Sequence, residues 1–174
     1  MRVWQTPPLI VTVGDETVRV YKGPSAFPDT KTLTGVTGNI NQVEISAPDN
    51  SGNVAIVIGT DNGLFVLPSI DPDDTTTSLS NSNPVQVTGV TGKVTLMDFS
   101  SDMIGPTGGA PGDLVPGLVV VVEGVGVVVN GYDSSTQTLT PVTTIPGYDQ
   151  FTVTQDQTHG DKVVLTIDTG ETVV

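Results

Sequence analysis

Apolar residues in this chain recur in short runs separated by polar turns, and no window carries the i, i+3, i+4, i+7 spacing of an amphipathic helix. Gly or Pro interrupts nearly every stretch long enough to be a helix, so the pattern predicts strands with little or no helix. One element returns four times: an apolar strand, a tight polar turn and a second apolar strand. It runs from Leu9-Ile10-Val11-Thr12-Val13 to Val18-Arg19-Val20-Tyr21, and from residues 54–58 through Thr60-Asp61-Asn62-Gly63 to Leu64-Phe65-Val66-Leu67. It returns at residues 118–122 with Val127-Val128-Val129, and at Val163-Val164-Leu165 through Asp168-Thr169-Gly170 to Val173-Val174. Asn-Gly or Asx-X-Gly between β-branched runs predicts a hairpin, because glycine accepts the positive φ such turns need.

A longer repeat lies between these hairpins. Residues 33–46 and 87–100 align without gaps, lie 54 residues apart and share Thr-Gly-Val-Thr-Gly outright. A looser third copy, residues 142–155, starts 55 residues after the second and keeps the final glycine as Gly147, but its strand arrives one residue early. Taken together the elements predict a unit of four short strands: the hairpin pair, a strand such as residues 31–34 or 137–140, and the strand inside the repeated block. The units are expected at about 9–53, 54–117 and 118–161, with a partial fourth at 162–174, all within one domain spanning 1–174.

On these residues the chain resembles a β-propeller repeat array. Thr60-Asp61-Asn62-Gly63-Leu64-Phe65-Val66 is similar to the strand, Asp-x-Gly turn and strand of propeller blades, and Ala47-Pro48-Asp49-Asn50-Ser51-Gly52 to the turn that follows a blade's innermost strand. No Gly-His or Trp-Asp pair closes a unit, which sets the chain apart from the WD-repeat type. The resemblance implies an all-β, propeller-like array of about three and a half four-stranded antiparallel blades, and it implies no activity. Two closures are open: Arg2-Val3-Trp4 fills the missing edge of the last unit, or several chains complete one another edge to edge. A β-sandwich is the remaining alternative. The candidate assembly edge is Arg2, Val3, Trp4, Glu171, Thr172, Val173 and Val174. Two long connections, residues 68–84 and 101–117, read as exposed loops, with Asp71, Asp73, Asp74, Thr107 and Asp113 as candidate partner contacts.

Composition narrows the function classes. The 174 residues include 20 Gly and 13 Pro, and only 14% are charged, a β-protein palette. With 19 acidic and 6 basic residues the formal charge is −13, and Lys93 is the only basic residue between Lys31 and Lys162. Such a surface repels phosphate, so neither nucleic acid nor an anionic membrane is an expected partner. The absence of Cys excludes disulfides and thiolate metal sites. The N-terminal order is not that of a signal peptide, and no apolar run is long enough to span a bilayer, which points to a virion or extracellular assembly reached without an encoded Sec signal, or otherwise to the cytoplasm.

Candidate chemistry is sparse. His159, the single histidine, sits in a turn-like Gln-Thr-His-Gly-Asp segment with no nucleophile or carboxylate placed beside it. The oxygen donors of residues 71–74 and 49–53 do not follow EF-hand spacing, and turn formation accounts for both. Glu44 and Asp98 occupy the same place in the first two repeated blocks, where paired acids would line a channel; the third block has no acid there. The glycines of residues 105–112 are followed by no lysine and no helix, so they are not a phosphate loop. No catalytic, cofactor or metal set is therefore expected. The composition resembles that of bacteriophage virion accessory proteins. It implies a non-enzymatic structural protein, such as a capsid decoration, neck or tail-fibre component, working through protein partners or self-association. The alternative is a propeller module that binds a glycan or a partner peptide.

Overall fold

A computed structural model of the chain describes residues 2–5, 8–14, 16–22, 28–104, 114–147, 152–156 and 162–166. Each short turn returns the chain antiparallel to the strand before it, so consecutive strands become neighbours. The first sheet is β1 (Arg2–Gln5), β2 (Pro8–Gly14), β3 (Thr17–Lys22) and β4 (Asp29–Thr32), side by side in that order. The second repeats the order with β5 (Ile40–Ile45), β6 (Val54–Thr60), β7 (Gly63–Ile70) and β8 (Val85–Gln86). The third is β9 (Val94–Ile104), β10 (Leu114–Val122), β11 (Gly126–Asp133) and β12 (Thr138–Pro146), followed by a two-stranded pair, β13 (Thr152–Asp156) and β14 (Lys162–Thr166). All the pairings are antiparallel. Among the described residues the chain is all-β apart from one seven-residue helix, α1 (Thr75–Asn81).

The strands group one place further along the chain than the repeat suggested. The strand inside each repeated block, β5 or β9, opens the following sheet instead of closing the preceding one, because it pairs with the hairpin after it. Arg2-Val3-Trp4 does not complete a last unit: β1 pairs with β2, with Trp4 opposite Leu9. Residues 162–166 pair with residues 152–156, and the expected partner strand at Val173-Val174 lies outside the described residues. Within the connection 68–84, expected as an open loop, β7 continues to Ile70 and α1 follows. Asp74 caps that helix by accepting the Thr77 N–H at 3.2 Å, and Leu79 is buried. A seven-residue helix is too short to hold itself, so packing sustains it.

Both faces of the middle strands are buried, which removes the apolar-polar alternation expected of a half-exposed strand. In β6 every residue is buried. Val54, Ile56 and Ile58 join Val11, Val18 and Val20 of the first sheet in one core, while Ala55 and Val57 join Leu118, Val120 and Val122 of the third sheet in another. β10 repeats the arrangement: Leu118, Val120 and Val122 face the second sheet, and Val119 and Val121 form a third cluster with Val127 on the opposite face. The sheets are therefore stacked, and the opening strands touch in sequence, β1 on β5 and β5 on β9.

The repeated blocks have the same job in each junction. Asp61 N–H donates to Asn39 O at 3.0 Å, and Glu123 N–H donates to Lys93 O at 2.8 Å; Asn39 and Lys93 are equivalent block positions. Side chains reinforce both bonds, through Asn39 Nδ2 to Asp61 Oδ2 at 2.7 Å and a Lys93–Glu123 ion pair at 3.1 Å. Gly63 and Gly126, at the hairpin turns, have φ of 130° and 126° and lie under the carbonyls of Val90 and Ile145, again equivalent block positions. A Cβ would come within 2.6 Å and 2.2 Å of those oxygens, so the close approach requires glycine at both. The third block thus keeps this one contact, through Ile145.

Candidate functional site

Stacked sheets spread apart toward their outer strands, and the second and third leave a groove there. β8 has only two residues, paired with Phe65 and Val66, and β12 runs along the facing sheet. Between them lies a cavity of about 360 Å³ walled by Val66, Pro68, Val85 and Val87 on one side and Leu139 and Pro141 on the other. Val85 is 57% exposed, the most exposed large apolar residue among those described. Among the described residues no ionisable or aromatic side chain lines the groove.

At its inner end a buried amide ties the sheets together. Asp133 accepts hydrogen bonds from the Ser135 hydroxyl at 2.6 Å and from Ser135 N–H and Thr136 N–H at 2.8 Å and 3.4 Å and shapes the turn before β12; the side-chain bonds of Ser135 and Thr136 first, then the Ser135 N–H, hold its carboxyl below the usual carboxylate range. Gln137 ends the turn in a left-handed conformation, φ 52°, with its side chain aimed at the second sheet. Gln137 Oε1 accepts from Ser69 N–H, and Nε2 donates to Asp49 Oδ2 at 3.0 Å and Asn53 O at 3.3 Å. Ser69 is itself left-handed at φ 59°. Two strained residues from facing sheets are thus joined by one hydrogen bond.

A second polar link is buried deeper. Tyr132 O–H donates to Ser46 Oγ at 3.0 Å; Ser46 Oγ also accepts from Ala55 N–H at 2.8 Å and donates to Ala47 O at 2.8 Å. The serine hydroxyl has spent its one proton and both lone pairs. Phe99 packs edge-on against the Tyr132 ring, 5.1 Å between centroids. Burial raises the tyrosine pKa above its ordinary value, and the nearby Asp49 and Asp133 charges add to that while the Ser46 bond opposes it. Near the hairpin turn of the second sheet, Asn41 Nδ2 joins Asp61 Oδ1 at 3.0 Å to Val94 O at 3.1 Å on β9. These asparagine bonds, Asn41 first and Asn39 next, hold Asp61 below the usual carboxylate range.

The residues singled out in the sequence do not converge on one site. Val43 and Ile45 face the first sheet, so Glu44 between them faces the third; Met97 and Phe99 face the second sheet, so Asp98 faces away from it. The two acids therefore face different sides of the stack and not a common channel. Asp71 accepts from Asp73 N–H at 2.8 Å and Asp74 caps α1, while Asp49 is occupied by Ser51 N–H, Asn53 N–H and Gln137. No group of three His, Cys, Asp or Glu side chains able to hold a metal ion occurs among the described residues. Arg2, Val3 and Trp4 lie in β1, the edge strand that opens the first sheet. Thr107, Asp113, His159, Glu171, Thr172, Val173 and Val174 lie outside the described residues. Gln137, Ser46 and Tyr132 carry no local signal, since their partners lie 68 to 88 residues away along the chain. No helix among the described residues is long and apolar enough to cross a membrane. Comparison with protein-family models, curated proteins and solved structures returned no match, so function is read from the geometry alone.

Proposed function

We propose that this chain is a non-enzymatic structural protein that works by assembling with other protein, its stacked sheets forming a propeller-like array. A virion accessory role, as a capsid decoration, neck or tail-fibre component, is the form of that role its composition favours. The observation that carries the reading is the groove at the outer strands: Val85, 57% exposed on β8, stands in a lining that has no charged side chain among the described residues, on a chain of net charge −13, while Val125 and Val142 are exposed apart from it. An uncharged, largely apolar groove open to solvent is a place where a segment of another protein can bury apolar area. The polar groups whose bonds are described above serve to join sheets or shape turns, which suits a scaffold.

The test is the mass of the full-length chain by light scattering over a range of concentrations, beside a variant lacking residues 1–5. Concentration-dependent association is the expected result, weakened where the truncation removes an assembly edge. Turnover of a polysaccharide, ester or peptide substrate that is lost in Glu44→Gln or Asp98→Asn would sink the reading. A ligand-binding module is the second reading, favoured by the groove itself; its lack of aromatic side chains points to a peptide rather than a glycan.

A further inference from the structure

The gap between outer strands is built twice, and among the described residues the chain fills only one. Between the first and second sheets α1 lies against β4 and β7, with Leu79 buried in the core at 1% exposure. Thr75 and Thr76 donate their hydroxyls to Asp29 on β4, and Lys31 Nζ donates to Ser80 O at 3.2 Å. Between the second and third sheets the corresponding connection is the turn at residues 134–137, too short for a helix, and it reaches across only through Gln137. The groove is what remains.

We propose that this groove docks a helical turn of a partner protein presenting one leucine-like side chain among small hydroxyl residues, the chemistry α1 supplies to the equivalent gap. The proposal rests on the assembly reading above and names the kind of segment that assembly uses. Charge decides against other occupants: a charged segment would lose its hydration against a lining with no counter-charge, whereas α1 is itself uncharged. A volume of about 360 Å³ admits a leucine side chain, and the hydroxyls of Thr88, Thr138 and Thr140 at its rim offer the polar contacts Asp29 provides to α1.

The probe is an end-blocked peptide with the sequence of residues 74–82, titrated into the isotope-labelled full chain while backbone amide shifts are followed. Saturable shifts are expected at Gln86, Val87, Leu139 and Thr140. They should weaken at least about tenfold for a peptide carrying Leu79→Ser, and equally for the chain variant Val85→Asp, whose exposed site leaves the thermal midpoint unchanged. Three results would overturn the proposal: no saturable shift, shifts centred instead on Asp29 and Leu33 as the peptide displaces α1, or a self-associated chain that Val85→Asp dissociates, which makes a second copy the occupant. A chain that assembles but ignores the peptide refutes this site and leaves the assembly reading standing. Peptide binding by a chain that also turns over a substrate does the reverse.

Discussion

Gln137 concentrates much of the coupling between the second and third sheets in one side chain. Changing it to Ala removes three hydrogen bonds while keeping a Cβ in the left-handed region, and should cost about 2–3 kcal/mol. Gln137→Gly removes the same bonds and relieves the backbone, so it should be more stable than the Ala variant by about 1 kcal/mol. Denaturant midpoints of the two variants measure the difference; equal stability would mean that φ 52° stores no strain. Tyr132→Phe should cost about 1 kcal/mol near neutral pH, the worth of one buried hydrogen bond. It also changes the alkaline limb. Because the folded-state pKa is raised, the native chain holds its proton above the ordinary value of 10.0 where the unfolded chain has released it. Stability is therefore fully present below that value and falls as pH climbs past it, and Tyr132→Phe should flatten the fall. Neither residue was legible in the sequence, because a polar residue declares its role only through a partner brought near by the fold.

At the scale of elements, the hairpins were legible and α1 was not. Turns such as Thr60-Asp61-Asn62-Gly63 announce themselves through residues that tolerate unusual backbone angles, and the structure places hairpins at the first three sites expected. The segment Thr75-Thr76-Thr77-Ser78-Leu79-Ser80-Asn81 offers one apolar residue and poor helix formers, so no periodicity could reveal a helix there. Its stability comes from Leu79 and from the contacts to Asp29. Leu79→Ala should cost roughly 2–5 kcal/mol and release α1. Loss of amide exchange protection at Ser78 and Ser82, whose N–H groups bond Asp74 O and Ser78 O, would report that release. If those amides stay protected while stability drops, the helix is held by its cap and the threonine bonds instead. The repeat length was also legible, but its phase was not: a period says how long a unit is, and only the pairing of β5 with β6 and of β9 with β10 says where one begins.

For the whole molecule, stacking makes each middle sheet a shared wall. Stability in such an array is a sum over sheets and over the interfaces between them. The amides of β6 and β10, buried on both faces, should therefore exchange slowest, and those of β8 and β12, on the outer edge, markedly faster. Uniform protection across all four strands would show that the sheets open only together. The all-β class followed from composition and turn chemistry, and units packed against their neighbours were expected from the repeat, whereas which residues face which neighbour was hidden because strands apolar on both faces read as undifferentiated runs of valine and isoleucine. That same two-sided burial alters what fixes strand register. In a sheet with one wet face, a slip of one residue would expose the core and is forbidden by polarity. In β6 such a slip merely exchanges one apolar row for the other: Ile56 and Ile58 for Ala55 and Val57. What resists the slip is the end of the strand: Thr60 would leave the Gly63 carbonyl that it bonds at 3.1 Å, and Gly59, where a Cβ would come within 2.7 Å of Val94, would yield its place to a larger residue, so the alignment of this strand is written in its last two positions.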